Sequence, residues 1–262
     1  MTPDRYGDVS VALDGHIGWV EIHRPPNNFF DAQLIANVAD ALEAFDREKE
    51  CRVVVLASEG KSFCAGADFS RSSEFEQDEL ESSRAARLYV QAIRLFGTAK
   101  PVIAAVQGAA VGGGLGLALT ADMRVASPEA RFAANFAKLG LHPGFGLTHT
   151  LPRLIGVQRA SLMFYTGRRI TGEQALAWGL VDVLVERDQL RSAARKLASE
   201  IAEGAPLAVE SARATLRRGL ADTVRATLEH ELAEQTRLAV TEDHKEGIRA
   251  VAERRPGRYQ RS

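Results

Sequence analysis

Apolar residues along the first part of the chain alternate between strand-like and helix-like spacing. Two β-rich runs flank Asp14-Gly15 in the segment 10–25 (SVALDGHIGWVEIHRP), which predicts a hairpin. Apolar side chains then recur at helical spacing from Leu34 to Phe45, which predicts an amphipathic helix. The short, uninterrupted apolar runs 52–57 (RVVVLA) and 101–106 (PVIAAV) are typical of strands covered on both faces. A weaker strand candidate is 123–127 (MRVAS).

The remainder of the chain, from about residue 157, is predicted to be helical. Thr171 and Gln174 match a capping box at the start of a helix. Leu190 to Ile201 forms an apolar stripe at helical spacing, and Pro206 suits the first turn of the next helix. The sequence therefore predicts an α/β body followed by helices that pack on that body or on a neighbouring subunit.

Length and composition are those of an ordinary globular protein. With 262 residues, 45% hydrophobic and 26% charged, the chain can bury a large core without crosslinks. This length favours one large α/β domain, or one domain with a helical appendage. The net charge of −1 argues against a general nucleic-acid surface but leaves room for a local basic pocket.

Cysteine usage and the N-terminus favour a cytoplasmic protein. Cys51 and Cys64 are the only cysteines, too few for a disulfide framework or zinc spacing. The first ten residues lack the apolar stretch of a signal peptide. Segment 101–121 is uncharged and long enough to cross a bilayer, but Gln107 and the glycine run favour a buried strand, a turn and a helix.

Several common chemistries are disfavoured. Gly60-Lys61-Ser62 is similar to the end of a phosphate-binding loop, but Val55 stands where that loop needs its first glycine. The chain has no Gly-x-Ser-x-Gly elbow and no dinucleotide-binding glycine motif after a strand. His142 and His149 are poorly spaced for a metal site. We expect no metal and no tightly bound cofactor.

Two glycine-containing turns follow the two most clearly buried strands. The first is 62–68 (SFCAGAD), and the second is Gly112-Gly113-Gly114, before an apolar helix that begins near Leu115. Glycine lets a ligand approach the backbone closely, and the first amides of a helix have no partner within it. Two such amides aimed at one carbonyl oxygen would stabilise an enolate. The alternative interpretation is a pair of tight left-handed connections.

Taken together, these motifs resemble those of the enoyl-CoA hydratase/isomerase (crotonase) family. The resemblance lies in KSFCAGADF (61–69) and KPVIAAVQGAAVGGGLGLALTAD (100–122), and in their spacing. It extends to IHRP, LGLHPGFGLTHTLPRLIG, YTGRRITGEQALAWGLVD and EDHKEGIRAVAERR, and so covers about residues 9 to 255.

The resemblance implies a fold and an assembly. The fold is an α/β crotonase spiral of ββα units, here expected over residues 1–200, with a C-terminal helical trimerisation region over 201–262. The expected assembly is a homotrimer or a homohexamer built as a dimer of trimers. The implied partner is an acyl-CoA thioester, with coenzyme A present as part of the substrate.

The resemblance also implies site residues. Ala67 and Gly113 match the positions whose backbone amides form the oxyanion hole. Ala65, Gly66 and Asp68 match positions that line the CoA pocket, with Ala65 near the adenine. Arg24 matches a residue near the CoA phosphates.

The sequence departs from the family pattern at both catalytic glutamates. The matching positions are Gly116, three residues after the oxyanion glycine, and Phe136, four residues before Gly140. Loss of a general acid or base typically costs about 10²–10⁴-fold in rate, so ordinary hydratase activity is doubtful. Gly116 and Phe136 would make the pocket more apolar, with room for a bulky acyl group.

Other residues are candidates for proton transfer. His142, in the turn that borders the family's active site, has a suitable ordinary pKa but could instead be a packing histidine. Glu74, Glu76 and Asp78 could reach in from the polar segment 70–84. Cys64 is expected to be a packed thiol and not a nucleophile, because no histidine partner is evident nearby in the sequence.

Three functions remain open. The chain could be an acyl-CoA enzyme of the hydratase/isomerase type with weak activity. It could also catalyse a different reaction, as a divergent acyl-CoA isomerase or hydrolase that uses His142. It could be a non-catalytic acyl-CoA-binding protein. A purely structural scaffold is the weakest alternative, because it would give the two glycine turns no purpose.

Overall fold

The computed structural model describes residues 4–68 and 81–262. The strands in these ranges are β1 Arg5–Tyr6, β2 Val9–Asp14, β3 Ile17–Ile22, β4 Val53–Ser58, β5 Val102–Val106, β6 Ala109–Val111, β7 Met123–Ala126, β8 Arg131–Ala133, β9 Arg169–Thr171 and β10 Val183–Leu184. The α-helices are α1 Ala32–Arg47, α2 Glu81–Phe96, α3 Gly113–Ala118, α4 Leu147–Ile155, α5 Val157–Thr166, α6 Gly172–Trp178, α7 Leu190–Ala202, α8 Pro206–Leu216, α9 Leu220–Ala239 and α10 Glu242–Ala252. Short 3-10 helices span Asn135–Leu139 and Arg187–Gln189.

The main sheet has the strand order β1-β2-β3-β4-β5-β7-β10. Strands β1 to β3 are antiparallel, and the predicted hairpin is confirmed by the pairing of Asp14 with Ile17. From β3 onward all pairings are parallel. The predicted strands at 52–57, 101–106 and 123–127 are confirmed as β4, β5 and β7.

A second, smaller sheet has the order β6-β8-β9. The chain passes from β5 in the main sheet to β6 in the second sheet, and again from β7 to β8. Each passage takes only a few residues, so the polypeptide winds repeatedly between the two sheets. The glycine run follows β6 directly and begins α3.

Alternate residues of β4 explain its uninterrupted apolar sequence. Val54 and Leu56 join the larger core cluster, which also contains the buried face of α1. Val53 and Val55 face the opposite side and pack in a second cluster with α7. Because side chains alternate along a strand, burial on both faces favours apolar residues at successive positions, as at 53–57.

The predicted helices of the later chain are confirmed, although two short strands, β9 and β10, also lie in this part of the chain. The capping box of Thr171 and Gln174 begins α6, and Pro206 occupies the first turn of α8. Helix α9 packs against α2 and α4, and α10 packs against the 3-10 helix Asn135–Leu139. The proposed boundary at residue 200 falls within α7, so that helix joins the body to the terminal helices.

Two further expectations concern segments 70–84 and 101–121. Residues 69–80 lie outside the described ranges, and α2 begins directly after them at Glu81. Segment 101–121 forms the predicted strand as β5 and the predicted helix as α3, whereas the short strand β6 between them was not predicted. Among the described helices, none combines the length and apolar character needed to span a bilayer.

Candidate active site

The first glycine turn is attached to strand β6 by backbone hydrogen bonds. The amide of Cys64 donates to the Ala109 carbonyl at 3.0 Å, and the amide of Val111 donates to the Cys64 carbonyl at 3.0 Å. Phe63 and Cys64 are fully buried beneath the turn. These contacts bring the segments after β4 and after β5 together, although they are distant in sequence.

The second glycine turn fits against the first because it lacks side chains. A Cβ atom at Gly114 would overlap the Cys64 carbonyl oxygen. Gly66 has a φ of +86°, and a Cβ atom there would lie 2.8 Å from the Val111 carbonyl oxygen and 3.6 Å from the Gly113 nitrogen. Both close contacts require glycine. They place Gly66, which precedes Ala67, beside the amide of Gly113, the first residue of α3.

The amides of Ala67 and Gly113 lie at the meeting point of the two turns. Gly113 is the first residue of α3, so its amide has no acceptor within that helix. The amide of Ala65 donates to Asn27, and the Gly66 carbonyl accepts from Phe30. In the ranges 4–68 and 81–262, neither the Ala67 amide nor the Gly113 amide has a backbone acceptor. Each turn therefore leaves one backbone N–H available as a donor, and the convergence of the two donors on one oxygen atom stays a prediction.

Aromatic side chains surround the Gly113 end of this site. The ring of Phe30 lies against Gly113, where a Cβ atom would overlap it. The rings of Phe30 and Phe145 are 5.5 Å apart between centroids, at an interplanar angle of 39°. Phe136, on the 3-10 helix, places its Cζ atom 3.7 Å from where a Cβ atom of Gly112 would lie. Phe136, which the sequence resemblance aligns with a family glutamate, is thus buried beside the second glycine turn.

Gly116 has no open space beside it. A Cβ atom at Gly116 would lie 2.7 Å from the Cβ and Cδ1 atoms of Phe145. The expected additional room for a bulky acyl group at this position is therefore absent, because the Phe145 side chain fills it. Sequence analysis missed Phe145, and a bulky residue between Gly144 and Gly146 was the available signal.

The turn that carries Phe145 is held in an unusual backbone conformation. Phe145 has a φ of +63°, in the left-handed region that side-chain-bearing residues rarely adopt. Glu231, from α9, accepts hydrogen bonds from the Gly146 amide at 2.8 Å, the Thr148 amide at 3.0 Å and the Thr148 hydroxyl at 2.6 Å. These bonds fix the backbone immediately after Phe145.

Glu231 is itself a buried carboxyl group. Its side chain is fully shielded from solvent, and this burial raises its pKa to about 7, while the hydrogen bonds from Thr148 and Gly146 oppose the rise. Sequence analysis did not identify Glu231, because its partners lie more than 80 residues away in the chain.

His142 contacts α9 and its own turn. Its Nδ1 atom lies 2.7 Å from the Pro143 carbonyl oxygen, and its ring packs edge to face on His230 at 5.8 Å between centroids. The His142 carbonyl accepts a hydrogen bond from the side chain of Gln235, and that side chain in turn accepts one from the Tyr89 hydroxyl. These contacts favour a packing role for His142 over a catalytic one.

The residues expected around coenzyme A lie near the first turn. Arg24 pairs with Asp8 at 2.6 Å and with Asp31 at 2.9 Å. Burial alone would lower the Arg24 pKa, but the hydrogen bonds to Asp8 and Asp31 raise it overall. Ala65 and Asp68 are partly exposed. The guanidinium group of Arg24 is therefore already paired with two carboxylates, and a phosphate group that binds there must compete with them.

The remaining candidates are unsuited to catalysis or fall outside the described ranges. Cys64 is fully buried, and desolvation raises the pKa of its thiol to about 12, so it is not a nucleophile. Glu74, Glu76 and Asp78 lie outside the described residues. Within residues 4–68 and 81–262, no cluster of three or more His, Cys, Asp or Glu side chains is arranged to hold a metal.

Gly114→Ala should disrupt the contact between the two turns. The added methyl group would overlap the Cys64 carbonyl, so we expect a loss of unfolding free energy of roughly 2 kcal/mol or more. Urea denaturation measures this loss. Gly97→Ala is the matched control, since the nearest atom to its Cβ would be the Arg94 carbonyl oxygen at 3.6 Å. Equal effects from the two substitutions would contradict the close approach at Gly114.

Glu231 should make stability fall as pH rises. Its pKa is raised from 4.5 to about 7, so the folded state binds this proton more tightly than the unfolded state. The associated stabilisation is complete below about pH 4.5 and is lost by about pH 7. Relative to Glu231→Gln, the wild-type unfolding free energy should fall by on the order of 3 kcal/mol across this window.

Urea denaturation at several pH values tests this slope. Glu234→Gln, on the same helix, is the control, because the hydrogen bond from Arg237 lowers the Glu234 pKa. The wild-type protein and Glu231→Gln should differ in pH slope, whatever their absolute stabilities. Parallel pH profiles for these two proteins would contradict a raised pKa at Glu231.

Comparison with known proteins identifies the family of the chain. The family model described as enoyl-CoA hydratase/isomerase matches residues 13–262. A short-chain-enoyl-CoA hydratase from Clostridium acetobutylicum is 34% identical over 254 residues, covering 95% of each chain. An (E)-benzylidenesuccinyl-CoA hydratase from Thauera aromatica is 34% identical over 250 residues, covering 94% of this chain and 96% of the relative.

A solved structure shares the whole fold. The crystal structure of an enoyl-CoA hydratase/isomerase from Pseudoalteromonas atlantica T6c superposes with a TM-score of 0.84 at 28% identity. The match covers 97% of this chain and 100% of that one. By sequence, fold and the joined glycine turns, the chain belongs to the enoyl-CoA hydratase/isomerase, or crotonase, family.

Proposed function

We propose that this protein processes an acyl-CoA thioester by holding the thioester carbonyl between the backbone amides of Ala67 and Gly113. The observation that carries the proposal is the pair of interlocked turns, whose two amides have no backbone acceptor in the ranges 4–68 and 81–262. Family membership supports a CoA thioester as the ligand. Coenzyme A enters as part of the substrate, and no tightly bound cofactor is needed.

The proposed chemistry is stabilisation of an enolate. When a proton, or another group that departs without its bonding electrons, leaves the carbon next to the thioester, negative charge develops on the carbonyl oxygen. Two fixed N–H donors stabilise that charge without reorganising, and loss of one such donor typically costs about 2.7–4 kcal/mol. Since the donors belong to the backbone, replacement of the usual glutamates leaves them in place.

The two positions that match the family glutamates cannot supply acid–base catalysis. Gly116 has no side chain, and Phe136 is apolar and buried. A divergent acyl-CoA isomerase or hydrolase would need another proton-transfer group, and His142 is the candidate from the sequence. Its contacts with Pro143 and His230 weaken that candidate. We therefore expect ordinary hydration of enoyl-CoA to be slow.

The acyl group is left open by the relatives. The short-chain-enoyl-CoA hydratase and the (E)-benzylidenesuccinyl-CoA hydratase are both 34% identical to this chain, yet their names specify acyl groups of very different bulk. Overall similarity thus does not select the substrate, and the residues that line the site must do so.

Binding of coenzyme A and assembly are proposed from matched positions. Ala65, Gly66 and Asp68 would line the CoA pocket, and Arg24 would lie near the phosphates. The helices after residue 200 would form a homotrimer or homohexamer in the cytoplasm. Large exposed apolar side chains in this region support an interface: Leu207 and Leu216 on α8 are 78% and 80% exposed, and Val240, directly after α9, is 77% exposed.

A second candidate is a non-catalytic acyl-CoA-binding protein. The replacement of both glutamates by Gly116 and Phe136 favours it. It predicts stabilisation by ligand without turnover, whereas an enzyme converts at least one member of a panel of saturated, unsaturated and aromatic acyl-CoAs. Mass spectrometry of the panel after incubation separates these two functions.

The oxyanion hole predicts that binding depends on the thioester carbonyl. Butyryl-CoA should bind at least about tenfold more tightly than its thioether analogue S-butyl-CoA, which lacks only the carbonyl oxygen. Without that oxygen, the two amides have no acceptor on the ligand. Isothermal titration calorimetry gives both dissociation constants, with free coenzyme A as the control. Equal affinity for thioester and thioether would contradict the proposed hole.

The missing carboxylates predict slow hydration of crotonyl-CoA. We expect kcat/KM to be at least about 10²-fold below that of the short-chain-enoyl-CoA hydratase from Clostridium acetobutylicum, assayed side by side. Loss of the enoyl absorbance measures the rate. If the two proteins hydrate crotonyl-CoA equally fast, the interpretation of Gly116 and Phe136 is wrong.

A further inference from the structure

The side chain of Phe145 lies against two backbone positions on the same face of α3. Its Cβ, Cδ1 and Cγ atoms lie 2.7, 2.7 and 2.8 Å from where a Cβ atom of Gly116 would be. Its Cδ2 atom lies 3.4 Å from where a Cβ atom of Gly113 would be. Gly113 and Gly116 are three residues apart, about one helical turn. One aromatic ring thus covers the helix beside the proposed oxyanion hole.

Phe30 completes this wall from the other side of Gly113. Its ring contacts Gly113 directly and is 5.5 Å from the ring of Phe145 between centroids. Phe145 is 1% exposed and Phe30 is 6% exposed, so both rings are already packed on nearly every side. Aromatic rings in such packing leave little free volume between them.

The backbone that carries Phe145 is fixed on both sides of the residue. After it, Gly146 and Thr148 are hydrogen-bonded to the buried carboxyl group of Glu231. Before it, Gly144 lies so close to Tyr89 that a Cβ atom would overlap the hydroxyl group. The left-handed φ of Phe145 is therefore maintained by its surroundings, and the fixed backbone holds the Cβ atom of Phe145 beside Gly116.

This fixed ring limits what a ligand can place beside α3. A carbonyl oxygen held by the Gly113 amide brings the first carbons of its acyl group to the wall formed by Phe30 and Phe145. We propose that Phe145 determines the acyl-group specificity of the site by excluding bulky acyl groups from the space beside Gly116. This inference rests on the proposed function, since it concerns the acyl part of the same ligand.

Crotonyl-CoA and cinnamoyl-CoA form the appropriate ligand pair. They share the enoyl thioester and differ only by a methyl or a phenyl group at the far end of the double bond. Phe145→Ala removes a phenyl ring from the wall, and a cavity of that kind can accept an aromatic ring from a ligand. The ratio of the two dissociation constants, cinnamoyl-CoA over crotonyl-CoA, should fall at least tenfold in Phe145→Ala relative to wild type.

Phe45→Ala is the matched control variant. Phe45 lies on α1, is also 1% exposed and packs on Gly18 in the hairpin. Its replacement by alanine removes the same atoms as Phe145→Ala. It should leave the ratio of dissociation constants unchanged. Phe145→Leu is the second variant should Phe145→Ala fail to fold, and it should shift the ratio in the same direction by a smaller factor.

Isothermal titration calorimetry with each thioester and with free coenzyme A distinguishes the outcomes. If both thioesters bind but the ratio is the same in wild type and in the folded Phe145 variant, the specificity role of Phe145 is refuted and the proposed function stands. An equal shift in Phe45→Ala refutes that role as well. If wild type binds neither thioester more tightly than coenzyme A, the proposed function fails, and the inference fails with it.

Discussion

The site depends on the pair of backbone hydrogen bonds through which Cys64 joins the segment after β4 to strand β6. Its amide donates to Ala109 and its carbonyl accepts from Val111, so this one residue is held on both sides by the same strand. The carbonyl is also the surface on which Gly114 rests. These contacts fix one glycine turn relative to the other. The proposed oxyanion hole depends on this arrangement, because each turn contributes one of its two amides.

Most of the architecture could be predicted from local sequence. The hairpin, the buried strands β4 and β5, and the capping box at Thr171 each follow from spacing within a few residues. The two glycine turns were recognisable for the same reason. Neighbouring residues in the sequence determine these features, so periodicity and turn chemistry are sufficient to predict them.

The aromatic wall and its support could not be predicted in that way. Phe30 meets Phe145, and Glu231 meets Gly146, across separations that no local pattern records. The left-handed conformation of Phe145 is equally hidden, because a phenylalanine carries no preference for it. Arg24 was expected near phosphates from its matched position, but only the fold reveals its pairing with Asp8 and Asp31.

The contact between Gly116 and Phe145 has a consequence for how such a site can change over time. Phe145 fits only because position 116 is glycine, and any side chain at position 116 would have to displace the ring. A single substitution that introduces a carboxylate at 116 therefore meets a steric barrier before it can provide any chemistry. A carboxylate at 116 requires a second change, at Phe145, so no single substitution at 116 is accommodated without disturbing the aromatic packing.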